Sequence, residues 1–170
     1  MPPIPAPAPA TDPFLIALEP VRLSVSLVNA TLHYELSVTN RSAEPLPPVA
    51  LAADMIGAHA SLSDDNQLAR DGTGLELRHE LPALGPGETA RAKGELRLPL
   101  ASVTPIRNGE ATLLVPLVRL RAESGPWSAR RAMVVGESPR APGGRLRPFR
   151  LDTGPRIFGE VSQREIADAA

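Results

Sequence analysis

The chain has 170 residues, of which 42% are hydrophobic, 22% charged and 3% aromatic, enough for one modest globular domain with loose ends. Twenty prolines and thirteen glycines exclude a long-helix protein and point to an all-β or loop-rich one. A net charge of −1 excludes a global field that recruits nucleic acid, and the lack of cysteine excludes disulfides, thiolate metal sites and a cysteine nucleophile.

Residues 1–13, MPPIPAPAPATDP, hold six prolines and read as a polyproline II spacer, without the basic and apolar regions of a secretory signal. Such a spacer commonly tethers a domain, so an upstream anchor is one expectation; an SH3-type ligand is a weaker one, since no basic residues flank it. From Val21, apolar residues alternate through Leu23, Val25 and Leu27, then again through Leu32, Tyr34, Leu36 and Val38, which predicts two half-buried strands joined as a hairpin. Asn40-Arg41-Ser42 ends the second. Val49, Leu51, Ala53 and Met55 make a third strand after Pro45, Pro47 and Pro48.

A polar loop over 61–74 precedes Leu75, Leu77, His79 and Leu81, which share one parity. The turn Leu84-Gly85-Pro86-Gly87-Glu88 then starts a strand over 89–98, with Ala90, Ala92, Gly94, Leu96 and Leu98 facing in and Arg91, Lys93, Glu95 and Arg97 facing out. The run 111–120 is apolar on both parities and predicts a doubly covered strand, with a bulge or edge position at Pro116. Gly125-Pro126 turns it into a strand over 127–136, with Met133, Val134 and Val135 as core candidates. The expected fold is an all-β, immunoglobulin-like or fibronectin-like antiparallel β-sandwich of seven to eight strands over residues 14–158, with 159–170 as a tail.

Three histidines, His33, His59 and His79, fall on separate segments with no metal-presetting spacing, and Met55 and Met133 read as core rather than copper ligands. Asp64, Asp65, Asn66 and Asp71 crowd one loop but miss the calcium-loop template. No nucleophile elbow, zinc helix or phosphate loop occurs, so neither catalytic residues nor a cofactor are expected.

Charge is segregated. Residues 1–118 carry eight basic and thirteen acidic groups, whereas 119–156 carry nine arginines against Glu123, Glu137 and Asp152. Solvated strand faces account for this ordinarily, and seventeen arginines beside one lysine reflect a compositional bias. The alternative is an arginine strip for a partner or an anionic envelope ligand, a lipid headgroup or an acidic glycan, built from Arg119, Arg121, Arg130, Arg131, Arg145, Arg147, Arg150 and Arg156.

The tail Leu146-Arg147-Pro148-Phe149-Arg150-Leu151-Asp152-Thr153-Gly154-Pro155-Arg156-Ile157-Phe158 is the least generic stretch, its Phe149, Leu151, Ile157 and Phe158 expected to strap the sandwich. With Leu114–Val118 and Val134–Glu137, it resembles a family of uncharacterised alphaproteobacterial proteins, common in sphingomonads, that share a PFRLD.GPR.F tail. The resemblance spans residues 20–165. It implies a spacer-borne immunoglobulin-like domain in the periplasm or cell envelope, a membrane or signal segment upstream, and no assigned activity or site residues. The expectation is a non-enzymatic interaction or structural module with an unidentified envelope protein as partner, near a membrane, and no nucleic acid.

Overall fold

The alternation seen at Leu32, Tyr34, Leu36 and Val38 is realised as a strand whose every second side chain is buried, paired on both edges along its length. The structure is a computed structural model that describes residues 12–58 and 75–166. Most of the spacer, His59 and the acidic loop residues Asp64, Asp65, Asn66 and Asp71 lie outside the described residues.

In chain order the strands are β1 (Phe14–Val25), β2 (Asn29–Asn40), β3 (Val49–Gly57), β4 (Glu76–Leu81), β5 (Thr89–Pro99), β6 (Ile106–Asn108), β7 (Ala111–Leu114), β8 (Pro116–Ser124), β9 (Trp127–Glu137), β10 (Phe149–Arg150), β11 (Arg156–Phe158) and β12 (Val161–Glu165). One antiparallel sheet has the order β11-β1-β2-β5, a second β12-β9-β8-β3-β4, and a small third sheet has the order β10-β7-β6. The two large sheets sandwich one apolar core, in which Leu18, Leu23, Leu32, Leu36 and Leu96 meet Leu51, Val118, Leu120, Met133 and Val135. This is an all-β sandwich.

Three differences from the sequence reading have local causes. β1 begins at Phe14, and Phe14, Ile16 and Leu18 are its first buried residues. Pro20 lacks an N–H to continue the ladder, and a bulge between Pro20 and Arg22 flips the parity, so Leu23 and Val25 point in while Val21 is exposed. Leu27 lies in the turn, where Ser26 Oγ accepts bonds from the N–H groups of Val28 and Asn29 at 3.2 and 3.0 Å. The apolar run 111–120 is two strands, not one: the chain leaves the small sheet after Leu114 and enters the five-stranded sheet at Pro116, the first residue of β8. A proline at a strand's first position costs no ladder bond, which is why the break falls there. In β4 a register shift opposite Leu51 and Ala52 sets Leu81 inward and Leu77 outward, breaking their common parity.

The C-terminal segment straps the sandwich through Phe149, Leu151 and Phe158, whereas Ile157, expected to pack with them, points to solvent. Phe149 on β10 is fully buried, stacks edge-to-face on Phe158 of β11 with centroids 4.9 Å apart, and closes one end of the core. Beyond the 14–158 boundary, Val161–Glu165 adds β12 to the edge of the five-stranded sheet. These additions raise the strand number above the expected seven to eight.

The turn after β2 is held by Asn40, a fully buried polar residue. Its Nδ2 donates to the carbonyls of Glu44 and Leu84 at 2.7 and 3.0 Å, and its Oδ1 accepts from Ser42 N–H and Oγ–H at 2.9 and 2.7 Å. Its backbone also pairs with the Gly85–Glu88 turn, through Gly87 N–H to Asn40 O at 2.7 Å and Asn40 N–H to Glu88 O at 3.0 Å. Gly87 has φ +78°, a left-handed conformation that only glycine adopts without strain. One side chain thus ties together the β2–β3 and β4–β5 connections between the two large sheets.

Candidate functional site

Strand parity separates the eight arginines. On β8, Val118, Leu120 and Ala122 face the core, so Arg119 and Arg121 face outward. Arg119 Nε donates to Asp54 Oδ1 at 2.8 Å and a second guanidinium nitrogen donates to Oδ2, with the arginine side chain only 8% exposed. This bidentate pair is seated on the outer face beside the buried Leu117 and Ala132, themselves packed with Ile56, Ala58, Val134 and Ile166. Arg121 Nε lies 2.7 Å from Glu123 Oε1, and the exposed Arg130 sits directly across from it on β9.

Arg131 is opposite Leu120 and therefore points inward, to the margin of the core. It donates to Asp12 Oδ1 at 2.9 Å and Phe14 O at 3.2 Å, and its Nε lies 3.4 Å from Glu165. Since Phe14 opens β1 and Arg131 belongs to β9, this guanidinium staples one large sheet to the other. Arg147 donates to Ser138 O at 3.1 Å and lies 3.7 Å from Glu137. Arg150 forms a bidentate pair with Asp152, whose pKa falls to about 2 because Arg150 and the backbone N–H of Thr112 both donate to the carboxylate. Arg156 lies 4.9 Å over the Phe158 ring. Arg145 is exposed on the segment between β9 and β10. The eight are divided between two faces of one sheet, the segment between β9 and β10, β10 itself and β11, and do not form one strip.

Residues 139–147 cross the outer face of β9. A Cβ added at Gly136 would meet Arg147 O at 2.8 Å and Leu146 Cβ at 2.9 Å, so the bare glycine lets the strap lie directly on the sheet. Reciprocal bonds fix it there, Glu137 N–H to Arg147 O at 2.8 Å and Arg147 N–H to Glu137 O at 3.0 Å. The hydroxyls of Ser138 and Ser162 meet at 2.7 Å, tying the start of the strap to β12. Between strap and sheet lies a cleft of about 750 Å3, lined by Val115, Val134, Leu146 and Ser162 and by two arginines, Arg145 and Arg164. Arg164, opposite Val134 on β12, is not among the arginines the sequence singles out, because it falls in the expected tail over 159–170.

His33 and His79, the histidines among the described residues, do not converge. His33 is on the outer face of the four-stranded sheet, 3.5 Å from Arg22 and 3.6 Å from Glu95. His79 reaches inward from β4 and shares a 2.8 Å hydrogen bond with Tyr34 of β2, across the two sheets. Burial, with the Arg78 charge beside it, lowers the His79 pKa, and burial raises that of Tyr34. Gly94 makes room for this contact: a Cβ there would lie 2.6 Å from the Tyr34 hydroxyl. Among the described residues no three histidine, aspartate or glutamate side chains group as a metal site would require.

Large apolar side chains are exposed at one end of the sandwich. Leu27 and Val28, at the β1–β2 turn, are 81% and 66% exposed, and Ile157, paired with Ser24 near that turn, is 68% exposed.

No protein-family model matches the chain, and no curated protein matches it. Similar solved structures include β-glucosidase from Kluyveromyces marxianus in complex with glucose, at 12% identity and a TM-score of 0.28 over 91% of this chain and 14% of that one. Selenomethionine-labelled β-glucosidase from the same organism gives 12% and 0.26 over 69% and 14%. β-Glucosidase 3B from Thermotoga neapolitana in complex with glucose gives 14% and 0.25 over 81% and 17%. The chain spans only 14–17% of the length of these structures, and likenesses this slight bear on neither its fold nor its activity.

Proposed function

We propose that the protein is a non-enzymatic, immunoglobulin-like interaction module of the bacterial cell envelope that docks a partner protein on the end formed by Leu27, Val28 and Ile157. The carrying observation is that apolar end, since three large aliphatic side chains at 66–81% exposure gain free energy when a partner covers them. Full burial of the three by a partner is worth about 3–6 kcal/mol, from ~1.5–3 kcal/mol per fully exposed aliphatic side chain scaled by their exposure, a sizeable part of a micromolar interaction.

The immunoglobulin-like type is supported by strand order. β1-β2-β5 faces β9-β8-β3-β4, the order in which the first, second and fifth strands of such sandwiches face the third, fourth, sixth and seventh. The envelope location is supported by the proline-rich start and the tail resemblance; among the described residues no helix is long and apolar enough to cross a membrane.

Affinity enrichment of the tagged protein from a bacterial envelope fraction tests this reading, with Leu27→Ser/Val28→Ser beside the wild type. One protein retained at high salt by the wild type and lost by the double variant is the expected result. Equal retention by both would overturn it.

A further inference from the structure

We propose that the cleft between β9, β12 and the 139–147 strap is a binding site for a small amphiphilic anion, a phosphate or carboxylate head on a short hydrocarbon body. The site is made of different residues from the partner-docking end and stands or falls independently of it.

Four observations meet in the cleft. Its volume of about 750 Å3 lies in the range of small-molecule sites, about 300–1,000 Å3. Its charge is of one sign among the described residues: Arg145 and Arg164 line it, and no carboxylate does. Arg119, Arg121, Arg131, Arg147 and Arg150 each lie within 4 Å of an aspartate or glutamate, whereas among the described residues Arg145 and Arg164, like Arg130 and Arg156, have no carboxylate partner; of these four, only Arg145 and Arg164 line the cleft. Two guanidinium groups with donors to spare favour an anion with several oxygens, which they can bind by paired N–H···O contacts.

The third observation is an apolar wall, Val115, Val134 and Leu146, which suits a hydrocarbon body and would be wasted on a bare inorganic ion. The fourth is that the walls are already held in place. Leu146 is fixed by the Glu137–Arg147 bridge, and Ser162 by the Ser138 hydroxyl, so the backbone framework of the cleft loses little conformational entropy when a ligand enters.

Titration of the labelled full chain with monomeric octyl phosphate, followed by amide chemical shifts, tests the assignment. Saturable shifts at Val134, Leu146, Ser162 and Arg164 are expected, with affinity that weakens as salt rises. Arg145→Gln/Arg164→Gln should weaken binding by about tenfold or more while leaving the amide spectrum away from the cleft and the melting temperature unchanged. Octanol and inorganic phosphate, each supplying half of the ligand, should bind much more weakly. Vesicles of phosphatidylglycerol distinguish the source: retention by wild type and not by the variant places the anion in a bilayer, and octyl phosphate binding without vesicle binding makes it a free molecule. The proposal is overturned if octanol shifts the same amides as strongly, if the double variant binds as well as wild type, or if no cleft amide shifts at millimolar octyl phosphate.

Discussion

Gly136→Ala isolates the contact between strap and sheet. In a strand interior, replacing glycine by alanine ordinarily stabilises a protein by about 0.4–1 kcal/mol, because the unfolded chain loses freedom. Here the new methyl would stand 2.8 Å from Arg147 O and 2.9 Å from Leu146 Cβ, closer than carbon tolerates, and the first obstacle is backbone. The strap must lift. Lifting breaks the two Glu137–Arg147 backbone bonds, worth about 0.5–1.5 kcal/mol each, so the sign reverses and a net loss of about 1–2 kcal/mol remains. Two-state unfolding by urea measures the loss, and hydrogen exchange at the Glu137 and Arg147 amides shows where it falls. A variant more stable than wild type, or one equally protected at those amides, would refute the reasoning.

Asn40→Ala should cost about 2–4 kcal/mol in urea unfolding, since it removes at one stroke the two bonds Nδ2 donates and the two Oδ1 accepts from Ser42, while Leu84 O keeps Leu46 N–H and Glu44 O keeps the Ser42 hydroxyl. Gly94→Ala should also destabilise, by about 1–2 kcal/mol, and should abolish the Tyr34–His79 contact as read from the imidazole's NMR signals. Stability should fall in two acid steps. The lowered His79 pKa makes the unfolded chain bind the extra proton, so stability drops as pH passes below about 6.5, and this step should vanish from melting curves of His79→Gln. The lowered Asp152 pKa adds a second loss as pH falls from 3.8 towards about 2, absent in Asp152→Asn.

The sequence made the fold legible wherever periodicity ran unbroken. β2 and β5 alternate over their whole lengths, and their inward residues are those expected. Legibility failed where one residue changes parity or sheet. A bulge at Pro20 cannot be seen in an alternation that looks regular from Val21 to Leu27, and the change of sheet at Pro116 is hidden by apolar residues on both sides. Arginine composition was visible but arginine pairing was not, because Asp54 and Arg119 are 65 residues apart and Asp12 and Arg131 are 119 apart. Arg145 was among the candidates and Arg164 was not, since five residues with one apolar position give β12 no period to read.

Photo-crosslinking in living bacteria tests the docking end most directly, with benzoylphenylalanine placed at Val28 and, as a control, at Glu35 on the outer face of the four-stranded sheet. One discrete protein adduct from position 28 and none from position 35 is the predicted result. No adduct at position 28, or the same adducts from both positions, would contradict the account.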